Sequence, residues 1–282
     1  MPESNITHSK GRPMLNSMNI IVPIKQVPET GNVKIDEEKG TIVREGVESI
    51  VNPLDLYAIE TALQLKEEYG GKITVISMGP RNAEKAIREA ISMGCDDGVL
   101  ISDRAFAGSD TWATSYALSK AIVKIGYYDL IIAGVRATDG DTGQVGPGIA
   151  AFLVLPLATY TSSIKEIGND KITVERLTEE GYETLRLPMP CLLTVVKEIS
   201  YPRLPTLRGK QKARSKEVDV WGPDDLNVDK TVIGLDGSPV KVVKITRPKV
   251  TRNGKIIDTT KGMDIKDAVT KLLRFLEEKE LI

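Results

Sequence analysis

The chain has 282 residues, 41% of them hydrophobic but only 5% aromatic, with 38 basic and 39 acidic side chains and a formal net charge of -1. That length supports one generous core domain with an appendage, built from Val, Ile, Leu and Ala, and the balanced charge leaves no global field to draw nucleic acid or an anionic membrane. The one histidine, His8, precedes the first apolar run, which excludes a Ser-His-Asp relay, a Cys-His pair and histidine-ligated zinc from the folded part and leaves cofactor-borne chemistry, carboxylate or lysine chemistry, or binding alone.

In chain order, residues 1–17 lack the apolar segment of a secretory signal and read as a disordered leader or alternative start, so a cytoplasmic location is the expectation. Patterned sequence begins at Met18. The runs 19–24 (NIIVPI), 73–78 (ITVISM), 99–102 (VLIS) and 130–134 (LIIAG) predict short buried strands. Between them the spacing predicts helices over 53–69, with Asn52 as N-cap and Pro53 at the first helical position, over 82–93, and over 111–125 behind Asp110; a fourth, over about 146–153, follows the last strand. Strand and helix alternating in this way predict an α/β fold with a doubly wound, Rossmann-like parallel sheet, whose ligand site lies outside the carboxyl ends of the strands where the strand order switches.

From Ala158 the pattern changes to polar-apolar alternation over 164–167, 172–177 and 183–187, around Asn169-Asp170 and Glu180-Gly181 turns. This predicts an antiparallel hairpin excursion before 191–196 returns to a buried strand. After Tyr201 the sequence is proline-punctuated and basic, then extended and polar, and finally helical over 265–281, without the apolar content for a core of its own. The expected organisation is a leader at 1–17, an α/β nucleotide-binding domain at 18–200 and an arm at 201–282 that packs on another subunit. The longest apolar stretch, 149–158, is too short to span a bilayer and contains Pro156, which argues against membrane insertion. Cys95 and Cys191 lie among apolar or small residues and read as two buried thiols in a reducing compartment.

The segment between the 130–134 strand and the fourth helix runs Gly134, Val135, Arg136, Ala137, Thr138, Asp139, Gly140, Asp141, Thr142, Gly143, Gln144, Val145, Gly146, Pro147, Gly148. Glycines at 140, 143, 146 and 148 let a backbone approach a ligand closely, and amides at a helix start face an anion, so a pyrophosphate suits this turn. The same glycines also fit a turn that needs them only for steric room, since no GxGxxG or Walker motif is present. Asn52, Pro53, Leu54 and Asp55, opening the first long helix, and Met78 ahead of Gly79-Pro80 are placed by this topology to border the same crevice. Asn52 has an ordinary capping role as well. Arg136 is the candidate cation beside a bound ring, or a surface arginine paired with Asp139 or Asp141.

The stretch Val174-Glu175-Arg176-Leu177-Thr178-Glu179-Glu180-Gly181-Tyr182-Glu183-Thr184-Leu185, running on to Pro190-Cys191-Leu192-Leu193-Thr194, resembles the signature hairpin and following strand of the beta subunit of electron transfer flavoprotein. With Asn52-Pro53 and the 139–144 loop, the resemblance extends over 18–282. It implies an adenine-nucleotide alpha-hydrolase-like fold and a nucleotide pocket formed by Pro23, Asn52 to Asp55, Met78 and Gly134 to Val145. It also implies pairing with an alpha subunit that carries one FAD, and a beta pocket holding either structural AMP or a second FAD. In the AMP class the pair relays single electrons from dehydrogenases to a quinone reductase; in the FAD class the second flavin takes a hydride from NADH and bifurcates its electrons. Here Gly143 and Val145 stand where the AMP class places Asn and Thr side chains around a terminal phosphate, which favours FAD, NADH as donor, and the NADH-oxidising complex.

The segment Pro202-Arg203-Leu204-Pro205-Thr206-Leu207-Arg208-Gly209-Lys210 resembles that family's recognition loop. The resemblance implies Leu207 as an anchor, with Leu204 and Arg208, in a partner redox protein such as a dehydrogenase, quinone reductase, ferredoxin or flavodoxin; a proline-stiffened surface loop without a partner is the alternative. Two further readings stay open: a nucleotide-binding regulatory module similar to the universal stress proteins, and a scaffold with an empty pocket. The turn after Lys25-Gln26 is no phosphate-binding glycine loop, which argues against the ATP pyrophosphatases of related architecture.

Overall fold

The computed structural model describes residues 17–29, 49–243, 256–257, 259 and 264–282, together with the backbone of 34–36 and 41–43. The expected leader, with His8, lies outside the described residues apart from Ser17. The chain divides into two compact units, Met1–Val243 and Lys244–Ile282.

In the first unit, β1 (Met18–Pro23) leads through β2 (Gln26–Pro28), β3 (Lys34–Asp36), β4 (Thr41–Val43) and β5 (Ser49–Val51) into α1 (Pro53–Tyr69). The strands β2 and β5 pair antiparallel, as do β3 and β4, in an excursion that period-two alternation does not reveal because each piece is three residues long. There follow β6 (Gly71–Met78), α2 (Glu84–Met93), β7 (Asp97–Ile101), α3 (Thr111–Ile125), β8 (Leu130–Gly134) and α4 (Val145–Leu153). Helix α2 starts two residues later than its spacing predicts, behind a 3-10 turn at Arg81–Ala83. The Asp110 carboxylate caps α3 as expected, accepting from the Ala113 amide at 3.0 Å.

The antiparallel excursion is β9 (Leu157–Ile167), β10 (Lys171–Thr178) and β11 (Gly181–Pro188), and β12 (Cys191–Val195) returns to the middle of the sheet. Strand β9 begins seven residues before the alternation becomes readable, because Tyr160 takes a left-handed backbone (φ 56°) and the register with both neighbours shifts there. The nine strands lie in the order β11-β10-β9-β12-β8-β1-β6-β7, closed at the other edge by β13 (Asp219–Trp221). Every pairing from β9 to β13 across this order is parallel, and β10 alone runs against its neighbours.

Burial on both faces explains the Ile-, Val- and Leu-rich central strands. Ile20 and Val22 of β1 pack with Ile59 and Leu63 of α1 on one face, while Ile21 packs with Ala117 and Ile149 of α3 and α4 on the other. Both cysteines are free and buried in the first of these layers, where burial pushes their thiols up to about 12. From β1 the chain steps outward through β6 to β7, then crosses to β8 on the opposite side, so the order switches between β1 and β8.

The basic sequence after Tyr201 divides between the two units: residues 201–243 belong with the sheet. Helix α5 (Leu207–Ser215) lies on α2, and β13 extends the sheet beyond β7. Polar composition hides this packing because Ala213 is the one buried residue of α5; the other ties are polar, from Lys212 to Asp96 at 3.7 Å and to the Cys95 carbonyl at 3.1 Å, from Arg88 of α2 to the Ala213 carbonyl, and from Lys216, just past the helix, to Asp97. A short helix α6 (Pro223–Leu226) follows β13. In the second unit, α7 (Ile265–Glu278) starts at the expected residue, and Ile265, Val269, Leu272, Leu273 and Phe275 all remain exposed on this chain alone. Among the described residues no helix is long and apolar enough to cross a membrane.

Gly209 marks how closely α5 approaches α2, since a Cβ there meets the Ser92 carbonyl oxygen at 1.9 Å. Gly209→Ala is expected to cost roughly 1–3 kcal/mol in urea unfolding and to speed tryptic cleavage at Arg208 and Lys210. Unchanged stability and cleavage would show that α5 does not sit on α2.

Candidate functional site

The carboxyl ends of β1 and β8, side by side at the switch in strand order, are covered by the first turn of α1. Its approach is close: a Cβ on Gly134 lies 2.3 Å from Asp55 Oδ1 and 2.9 Å from the Leu54 carbonyl oxygen. Gly134 is thus required by the helix crossing over the strand end. The turn is fixed from the β1 side as well, where the Asn52 amide donates to the Lys25 carbonyl at 2.8 Å and the Lys25 amide donates to Asp55 Oδ2 at 2.7 Å.

Asn52 occupies the N-cap position, yet its side chain makes no capping bond. Instead the buried amide spans the loop after β8: Nδ2 donates to the Arg136 carbonyl at 2.9 Å and Oδ1 accepts from the Thr138 amide at 3.1 Å. One side chain uses its donor and acceptor ends on consecutive stretches of one loop, the arrangement a planar amide suits best. The loop continues the β12 ladder through Val135, whose amide donates to the Val195 carbonyl at 3.1 Å, and it closes a turn through Asp141 N to Ala137 O at 2.8 Å. Asp141 (φ 53°) and Gly143 (φ 62°) are left-handed. At the far end Thr111 Oγ1 donates to Gln144 Oε1 at 3.1 Å, and α4 begins at Val145 with no side-chain cap from Gln144.

The loop glycines divide by role. A Cβ on Gly146 meets Thr194 Cγ2 at 2.6 Å and one on Gly148 meets Ser115 Oγ at 2.3 Å, so these two serve the seating of α4. By contrast a Cβ on Gly140 meets nothing within 4 Å, and one on Gly143 meets only the Val135 carbonyl oxygen, at 3.5 Å. Open space therefore lies beside 140–143. Its border carries two exposed cations, each held by an exposed carboxylate: Lys25 Nζ to Asp139 Oδ1 at 2.6 Å and Arg136 Nε to Asp141 Oδ1 at 3.0 Å. Backbone amides, an ammonium and a guanidinium around unfilled space form a donor set that fits a phosphate group.

Of the residues singled out in the sequence, Asn52, Asp55 and 134–144 come together. Pro23 is buried at the end of β1, Pro53 is exposed on α1, and Leu54 and Met78 are half-buried at the rim of the same strand ends. Leu204, Leu207 and Arg208 belong to a separate exposed segment. Lys25, Thr111, Thr194 and Val195 also build the site without having been read from sequence as members; β12 lying next to β8 brings in the last two, and the turn after β1 brings in the first. A polar cavity of about 330 Å³ between Glu166, Lys171, Thr173 and Arg186 and the turn at Gly168 to Asp170 belongs to the hairpin excursion, away from the switch in strand order, and has no helix start in its lining. Among the described residues no three His, Cys, Asp or Glu side chains gather as a metal site.

Burial pushes the Asp55 carboxyl from an ordinary 3.8 up to about 7, against the lowering effects of the Asn52 amide, the Lys25 amide and the Lys25 charge. The folded value exceeds the unfolded one, so the neutral acid contributes stability in full below about pH 4, and that contribution is lost as pH rises through 7. Relative to Asp55→Asn, wild-type stability is expected to fall by at most about 4 kcal/mol between pH 4 and 7 and then to level. Urea midpoints across pH check this; parallel curves for the two proteins would refute it.

The electron transfer flavoprotein domain family matches residues 39–226. The electron transfer flavoprotein subunit beta of Thermoanaerobacterium thermosaccharolyticum is 50% identical over 266 residues, covering 94% of this chain and 100% of that one. The caffeyl-CoA reductase-Etf complex subunit CarD of Acetobacterium woodii is 42% identical with the same coverage, and protein FixA of Azotobacter vinelandii is 45% identical over 82% of this chain and 85% of its own. With the hairpin β10–β11, the 134–144 loop and the doubly wound sheet in place, these likenesses put the chain in the electron transfer flavoprotein family, on its beta-subunit and FixA branch.

Proposed function

We propose that this chain holds FAD at the β1/β8 switch and, joined to an alpha subunit that carries its own FAD, takes a hydride from NADH and bifurcates the electrons to high- and low-potential acceptors. The observation that carries this reading is the loop 134–144, fixed at its root by Asn52 and open beside Gly140 and Gly143. Bound FAD supplies the hydride and electron chemistry. The protein's part would be to bind and orient: amides of 142–145 and the start of α4 would hold the pyrophosphate, Arg136 and Lys25 would add positive charge at the rim, and Asn52 fixes the loop's position. Gly143 and Val145 offer no side-chain hydrogen bond to a terminal phosphate and would leave room there for a linked second half of the ligand. Structural AMP, with single-electron relay, is the alternative occupant.

The remaining surfaces support an assembly. The apolar stripe of α7, at spacings of four, three and one from Ile265 through Val269 and Leu272 to Leu273, is uncovered on this chain and suits the alpha subunit. Leu204 and Leu207, 85% and 87% exposed, suit docking to a partner redox protein. The name of the Acetobacterium woodii relative, a subunit of a caffeyl-CoA reductase-Etf complex, supports a partner of that kind. Two free thiols fit a reducing compartment, which we take to be the cytoplasm.

The co-purified alpha-beta complex should release one FAD for each beta chain beyond that of the alpha subunit, and NADH alone should bleach it; AMP in the extract, with a single FAD per pair, rejects the bifurcating reading. Asn52→Ala is expected to weaken retention of the beta-site flavin about tenfold, measured by the flavin left after gel filtration. Full retention would sink the assignment of Asn52.

A further inference from the structure

Between β12 and α5, Tyr201, Leu204 and Leu207 stand 79%, 85% and 87% exposed. They are spaced by three, residues 201–206 form neither helix nor strand, and Pro202 and Pro205 lie between them. Thr206 has an extended backbone (φ -87°, ψ 160°). A proline-stiffened extended chain repeats every three residues, and that is the spacing of these three exposed apolar side chains, here termed the ridge. So much uncovered apolar surface in a short stiff segment marks a protein-binding face.

Arg203, within the ridge, turns inward to α1. Its Nε donates to Glu60 Oε2 at 2.8 Å, Nη2 to Glu60 Oε1 at 2.9 Å and to Glu67 Oε2 at 3.0 Å, Nη1 to Glu67 Oε1, and its own backbone amide to Glu60 Oε2 at 3.0 Å. The Glu60 side chain is only 4% exposed. Further ties run from Ser200 Oγ to the Tyr57 carbonyl at 3.3 Å and from the Thr206 amide to the Ser92 carbonyl at 3.4 Å. A buried ion pair is a poor route to stability compared with apolar packing, whereas a planar fork held by two carboxylates admits essentially one orientation. What the fork adds is the direction in which the ridge points.

We propose that Arg203 is a positioning residue which presents Tyr201, Leu204 and Leu207 as one ridge to a partner redox protein whose docking face is an apolar groove bordered by carboxylates. The acidic border follows from charge: α5 adjoins the ridge, and its Arg208 and Arg214 are exposed and form no ion pair among the described residues. The inference rests on the docking reading of Leu207 above and adds Tyr201, Arg203 and the partner's chemistry to it.

The test uses the full alpha-beta complex and, as acceptor, the caffeyl-CoA reductase of Acetobacterium woodii. Tyr201→Ala, Leu204→Ala and Leu207→Ala should each raise KM for the reductase, and Arg203→Lys should raise it about tenfold, with kcat, flavin content and Tm kept and amide exchange over 200–207 accelerated. The double variant Arg203→Gln with Glu60→Gln, which leaves no orphaned buried charge, should keep Tm and still raise KM. Higher salt should raise wild-type KM. If Leu207→Ala raises KM while Arg203→Lys and Tyr201→Ala leave KM and exchange unchanged, the inference fails and the docking reading stands. Should the double variant restore wild-type KM, Arg203 has a structural role only. No reduction of the reductase by the wild type, or no effect of Leu204→Ala and Leu207→Ala, overturns the docking reading and the inference together.

Discussion

The close crossing of α1 over the end of β8 sets the geometry of everything around it. With no side chain on Gly134, the Leu54 backbone and the Asp55 carboxyl come down onto the strand, and the helix takes a position that any larger residue would deny it. That position puts Asn52 within reach of two backbone groups of the loop that follows the same strand. It also puts Glu60, two turns along the helix, under Arg203 in a segment 143 residues further on. A single missing methyl group thus connects a local sequence feature to the placement of the 134–144 loop and of an exposed apolar segment. Asp55 pays for this closeness by losing its water, and it responds by holding its proton to about pH 7.

The loop's own charges do little to hold it. Lys25 with Asp139 and Arg136 with Asp141 are exposed pairs, and such pairs contribute about 0–1 kcal/mol each, less as salt rises. The buried Asn52 amide, with no water to take its place, is the stronger constraint. This division suits a binding loop. Its root is fixed by a desolvated amide, while its rim cations sit in weak pairs that an incoming phosphate can displace at small cost.

Much of the fold could be read from sequence, for identifiable reasons. Strand β8 and helices α1 and α3 fall where the spacing places them, because a doubly buried strand reads as an unbroken apolar run and because Pro53 and Asp110 mark helix starts. The β2–β5 excursion has too few residues in each strand for any period to emerge, and β13 is a three-residue piece in polar surroundings. In the site, the loop between β8 and α4 was visible from its glycines and its place after a strand. The separate duties of those glycines were not, since what a missing Cβ would touch belongs to another element: Thr194 on β12 for Gly146, Ser115 on α3 for Gly148. Asn52 illustrates the same limit. An asparagine before a proline-led helix reads as a cap, and only the fold shows its amide turned away to a loop more than eighty residues distant.

The pairing of Glu60 with Arg203 carries that argument one step further. Neither residue is unusual in its own surroundings: a glutamate on a helix and an arginine beside a proline are both ordinary solvent-facing choices. Together they form a part-buried, doubly hydrogen-bonded contact, and its partners are fixed by the path of the chain after β12. Both ends of α1's contact surface are therefore referred to one rigid element, the loop of 134–144 at its first turn and the 201–207 segment at its flank. A protein docking at the segment would meet a surface whose position relative to the 134–144 loop is set by one hydrogen-bonded helix, with no flexible linker between. For electron transfer between separate proteins that is the useful arrangement, because the docked distance is then decided by the complex and not by the wandering of a loop.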